Sequence, residues 1–60
     1  MTWTEVVNNV EMLNADVSYS RSRGLWKAGT YWCASKRKPT LQGAIQDLID
    51  RLADLHGQAN

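Results

Sequence analysis

Arg21, Arg23, Lys27, Lys36, Arg37 and Lys38 are the one concentration of side chains in this chain suited to holding a ligand. Clustered lysines and arginines neutralise phosphates, and binding of that kind displaces counterions. Trp26, Tyr31 and Trp32 interleave with the bases, and a ring exposed among them would stack on a nucleobase. Residues 17–40 contain no acid and carry +6, whereas residues 1–16 carry −3 and residues 41–60 carry −2. The net charge of +1 is too small for the whole chain to act as a polycation. The local field of the middle third is what a charged partner would meet. Lys36–Lys38 also run into Pro39-Thr40 and a predicted helix start, where free backbone amides favour an anion.

Other chemistry finds little to work with. Cys33 is the single cysteine and His56 the single histidine, so an internal disulfide and a four-ligand zinc site are both ruled out. Acid–base or nucleophilic catalysis needs convergent titratable groups with an orienting neighbour, and no such motif is present. Cys33 reads as a small strand residue, His56 as a residue of a last helical turn, and Asp47, Asp50 and Asp54 as a solvated helix face. There is no glycine-rich phosphate loop. The expectation is a binding protein that is not an enzyme and takes no metal or cofactor. One cysteine fits a reducing compartment, and no apolar run approaches the roughly 20 residues that span a bilayer. Glu5 and Glu11 stand where a signal peptide would have bases, so the expected location is cytoplasmic, away from membranes.

The elements that must position the bases are legible from patterning. Thr2-Trp3-Thr4-Glu5 fits a capping box, and Trp3, Val6, Val7, Val10 and Leu13 recur at helical spacing, predicting a helix over about 3–14 that stops at Asn14. Met12 falls off that stripe, as an exposed or an interface residue would. Thr40 caps a second helix over about 41–56. Its apolar stripe is Leu41, Ala44, Ile45, Leu48, Ile49, Leu52 and Leu55, with Asp47 and Arg51 at favourable i,i+4 spacing and Gly57 as a left-handed cap. Gly43 falls in its first turn, at a cost of about 1 kcal/mol relative to alanine.

Strands are expected over about 16–22 and 25–35. A two-residue Arg23-Gly24 turn would pair Ser22 with Leu25, Arg21 with Trp26 and Tyr19 with Ala28. Val17, Tyr19, Trp26, Ala28, Trp32 and Ala34 would then share one face and pack on the helices. Ser18, Ser20, Ser22, Lys27, Tyr31, Cys33 and Ser35 would share the other. Gly29-Thr30 reads as a bulge or as a second turn that makes a third strand. The fold class is therefore α+β in a single compact domain over residues 1–60. Its order is N-terminal helix, antiparallel β-hairpin or three-strand meander, then C-terminal amphipathic helix, with both helices on one sheet face. So small a core needs a staple, and with disulfide and zinc excluded a homodimer is the expectation.

The first helix, "VSYSRSRGLWKA" and the closing "TLQGAIQDLIDRL" together resemble small phage-encoded α-β-α sandwich domains. Those proteins similarly set a tryptophan-containing strand before a Thr-Leu-x-x-Ala-Ile helix start, matched here by Trp26 and Thr40-Leu41-Gln42-Gly43-Ala44-Ile45. The pattern is also similar to the helix entry of HicB-type antitoxins and to the arm-binding domains of phage integrases. The resemblance implies a phage or mobile-element accessory protein that acts by binding nucleic acid, a signalling nucleotide or a host protein. On the residues themselves, the six bases with Trp26, Tyr31 and Trp32 form the expected anion site, with nucleic acid or a nucleotide as ligand. The alternatives are an inhibitor of a host defence or transcription complex and a structural dimer.

Overall fold

A computed structural model of the chain describes residues 2–58, without the side chains of His56 and Gln58, so the expected role of His56 lies outside the described residues. Helix α1 (Trp3–Leu13) is followed by strands β1 (Asp16–Ser20) and β2 (Leu25–Gly29) and by helix α2 (Leu41–Gln58). The architecture is α+β, with an antiparallel hairpin against which the C-terminal helix packs.

Both helix starts follow from local chemistry. The Thr2 hydroxyl accepts from the Glu5 amide at 3.2 Å while the Glu5 carboxylate reaches back to the Thr2 amide, satisfying donors that have no partner inside the helix. Asn14 ends α1 in the left-handed region (φ 51), which its short polar side chain tolerates. The Thr40 hydroxyl accepts from the Gly43 amide at 3.0 Å. That bond accounts for the glycine. A Cβ on residue 43 would stand 3.0 Å from the Thr40 hydroxyl and 3.4 Å from the Lys38 Cβ, so the cap and the lysine stem occupy its space. Gly57 departs from expectation: α2 runs on through it to Gln58, and it does not take a positive φ.

Strand pairing keeps the expected sets of residues on each face but slips the register by two residues. Val17 and Tyr19, expected to pack on the helices, remain exposed because α2 packs on β2. Ser20 pairs with Leu25, Tyr19 with Trp26, Ser18 with Lys27 and Val17 with Ala28. The turn is therefore a four-residue loop over 21–24, closed by the Gly24 amide donating to the Ser20 carbonyl at 2.8 Å. A tight two-residue turn of the favoured kind needs positive φ at both central positions, and only Gly24 supplies it, at φ 64. Slippage by two conserves which side chains share a face. Tyr19 and Trp26 still meet, with ring centroids 4.7 Å apart.

Beyond Gly29 the strand expected over about 25–35 does not continue. Of the bulge and the turn expected at Gly29-Thr30 it is the turn that forms, with isolated bridges in place of a full third strand. The chain turns at Thr30, whose amide donates to the Cys33 carbonyl at 2.7 Å and whose hydroxyl accepts from the Trp32 and Cys33 amides. It then runs back along β2, bridging Gly29 with Ala34 and Trp26 with Lys38. The turn inverts the alternation expected there. Trp32 and Ala34 face outward instead of packing on the helices, while Cys33 packs against the core and Ser35 is buried.

The core is thin. Val6, Ala28, Ala44, Ile45 and Leu48 are fully buried, and half-buried Val10, Leu13, Trp26, Leu41, Ile49 and Leu52 surround them. Alanine on both sides, Ala28 of β2 and Ala44 of α2, lets helix and sheet approach closely. Burial of Val6, Ile45 and Leu48 contributes roughly 1.5–3 kcal/mol each. Trp3 belongs to the predicted stripe yet is largely exposed, because α1 packs on α2 through Val6, Val10 and Leu13.

Candidate nucleic-acid interface

The returning segment 34–38 decides where the bases stand. Between the bridges Trp26–Lys38 and Gly29–Ala34, β2 contributes residues 27 and 28 while the facing segment contributes 35, 36 and 37. This is a β-bulge, with one extra residue on one side. Ser35 takes Ala28 as its partner twice over: its amide donates to the Ala28 carbonyl at 2.7 Å, and its hydroxyl accepts from the Ala28 amide at 2.9 Å. The hydroxyl replaces the carbonyl that a regular ladder would present, and it donates in turn to the Lys36 carbonyl at 2.9 Å. Lys36 and Arg37 are left together opposite Lys27, and all three are exposed.

Asp47 holds this segment against α2. One carboxylate oxygen accepts from the Lys36 amide and from the Arg51 Nε, both at 2.8 Å. The Arg51 hydrogen bond, then the Lys36 amide, hold the Asp47 carboxyl below its ordinary pKa. A depressed folded-state pKa stabilises the fold above the ordinary aspartate value, and that stabilisation is lost as pH falls through the folded value. Wild type should therefore lose stability below about pH 4 more steeply than Asp47→Asn, whose amide can still accept but does not titrate. Urea unfolding of both proteins at neutral and acid pH checks this; parallel losses would contradict it.

The other predicted site residues divide among different places. Arg21 and Arg23 are exposed in the hairpin loop, at the end of the sheet where Lys38 leads into α2. Lys38, paired with Trp26, lies half-buried on the helix side with its stem against Gly43. Trp26 is on the same side, against Tyr19. Tyr31 and Trp32 sit at the opposite end of the sheet, in the turn after Gly29, 94% and 71% exposed and in edge-to-face contact at 5.6 Å. The aromatics are thus not interleaved with the open-face bases, and Tyr31 is a loop-tip residue and not part of the serine face. Among the described residues Arg51 alone has a carboxylate partner, so the six bases of the middle segment are unpaired.

Two concavities flank the sheet. A shallow one of about 200 Å³ on the open face is lined by Asp16, Val17, Ser18, Lys27 and Gly29. A larger apolar groove of about 700 Å³ lies on the helix layer between the end of α1, the second half of α2 and the Thr30–Trp32 turn. Sequence patterning did not locate Ser35 or the Asp47–Lys36 bond. The Asp47–Arg51 pair was expected from its spacing, but nothing local marks an aspartate that binds an amide eleven residues away. No group of three or more potential metal ligands occurs among the described residues, and no described helix is long and apolar enough to cross a membrane. No protein-family model, curated protein or solved structure matches this chain.

Proposed function

We propose that this protein binds nucleic acid through its phosphate backbone, using the open sheet face and the hairpin loop. The observation that carries the reading is the bulge that sets Lys36 and Arg37 opposite Lys27, three exposed bases without carboxylate partners among the described residues. Arg21 and Arg23 extend the positive surface towards the hairpin loop, and Ser18 and Ser20 keep the face between flat enough for a polymer to lie on. A free nucleotide fits less well. The open-face concavity falls short of the roughly 300–1,000 Å³ of small-ligand pockets, and Asp16 in its lining would repel a phosphate. With Tyr31 and Trp32 at the opposite end of the sheet from Arg21 and Arg23, recognition is of charge and backbone. A non-enzymatic accessory protein of a phage or mobile element, as the resemblance implies, is compatible with such binding.

The test is a titration of a fluorescent duplex of arbitrary sequence against salt. Contacts from Arg21, Arg23, Lys27, Lys36 and Arg37 give an expected slope of log K on log salt near about −4.5, an affinity loss of roughly 500-fold between about 50 and 200 mM. A slope shallower than about −1, the value of a single contact, would remove the reading.

A further inference from the structure

Building on the phosphate-binding reading, we infer that Asp47 is a positioning residue for the nucleic-acid contact. Its carboxylate, held by Arg51, fixes the Lys36 backbone so that Lys36 and Arg37 stand together opposite Lys27. The returning segment is anchored on both sides of these two residues. Ser35 is bonded to Ala28, and Lys38 exchanges two backbone hydrogen bonds with Trp26, at 2.6 and 2.8 Å. Trp26 and Ala28 turn their amides and carbonyls towards this segment, so Lys27 between them turns its own towards Ser18 of β1. The Lys36 amide therefore has no ladder partner, as the extra residue of a bulge ordinarily lacks one. Asp47 supplies the acceptor that the sheet does not, at 2.8 Å.

Asp47 is half-buried, with 21% of its side chain exposed, whereas Asp50 and Asp54 on the same helix are exposed. The oxygen that accepts the Lys36 amide also accepts the Arg51 Nε at 2.8 Å, so the guanidinium one turn along α2 sets the direction of the carboxylate. Charge alone opposes an acid at this place. A carboxylate beside a surface that meets phosphates repels them, and Arg51 offsets that repulsion by pairing with it. Position is what the acid supplies. A bulge without its anchor would have to be ordered on binding, and the free energy of fixing its backbone would be subtracted from the affinity. Ser35 cannot take over the Lys36 amide, because its hydroxyl already serves the Ala28 amide and the Lys36 carbonyl.

Duplex titration of Asp47→Ala and Asp47→Asn at low salt tests the inference, because the two variants carry the same charge and differ in the acceptor. Asp47→Ala should bind about tenfold more weakly than wild type, the scale of ordering one residue's backbone. Asp47→Asn retains an acceptor oxygen and should recover most of that loss. A purely electrostatic role predicts the opposite for alanine, tighter binding, and a role in stability alone predicts unchanged affinity of the folded protein. Either result would overturn the inference. Asp47→Leu, similar in shape and a good helix former, should weaken binding likewise, and it replaces alanine if circular dichroism shows that variant unfolded. A second readout uses no nucleic acid. Hydrogen exchange at the Lys36 amide should accelerate at least about tenfold in Asp47→Ala and Asp47→Leu while the Ala28 amide stays protected, the signature of a local opening. An unchanged Lys36 rate would overturn the inference. Wild type that shows this local protection yet does not bind the duplex would instead remove the phosphate-binding reading, and with it the role assigned to Asp47.

Discussion

Replacing Ser35 with alanine should cost the domain about 2 kcal/mol, lowering its melting temperature by roughly 10 °C. The expectation comes from one buried hydroxyl serving two backbone groups, the Ala28 amide at 2.9 Å and the Lys36 carbonyl at 2.9 Å. Ala28 is wholly buried and Ser35 is 5% exposed, so water cannot take over the bond to the amide. An orphaned buried donor costs about 1–3 kcal/mol, and the freed carbonyl adds a smaller amount because Lys36 is exposed. A domain of this size has only about 3–9 kcal/mol in total, so the loss removes a large share of it. A thermal melt of Ser35→Ala within about 2 °C of wild type would show that the bulge relaxes and finds another acceptor.

The Lys36→Glu, Arg37→Glu double variant should lose at least about a hundredfold in duplex affinity at low salt, with its salt slope shallower by about 2. Two phosphate contacts vanish and two repulsive charges take their place beside Lys27. Neither residue is buried, and the Lys36 backbone bonds to Ser35 and Asp47 do not involve its side chain. The fold should therefore survive, with an unchanged circular dichroism spectrum. Retained affinity in a well-folded double variant would exclude the bulge as the contact surface. Reversal at Arg21 and Arg23 alone should cost less, because the hairpin loop lies beyond the bulge at one end of the sheet.

Much of this arrangement is readable in the chain, for reasons that are local. The capping box at Thr2, the single cap at Thr40, the stop at Asn14 and the stripe from Leu41 to Leu52 each depend on residues within a turn or two of one another. The faces of β1 and β2 follow from alternation alone, which is why Val17, Tyr19, Trp26 and Ala28 share a side even though the register differs by two. What patterning missed depends on contacts between distant segments. Thr30 reverses the chain with its own hydroxyl, and from that point the phase of alternation inverts, burying Ser35 and exposing Trp32. Asp47 looks like a solvated helix residue until the returning segment presents the Lys36 amide. Six bases could be named from composition, but which three stand abreast is decided by a single extra residue opposite Lys27.

The pairings of the sheet have a consequence for the order of assembly. Asp16 with Gly29, Gly29 with Ala34 and Trp26 with Lys38 all join residues close in the chain. Closing such short loops costs little entropy, and local contacts form early in folding. The packing of Val6, Val10 and Leu13 of α1 against α2 must bridge most of the chain. Residues 16 to 38, with α2 docked beneath them, can thus form a unit before α1 joins. The basic face belongs wholly to that unit and is complete once it forms. The groove needs Met12 and Leu13 from α1, so it is complete only once α1 has joined.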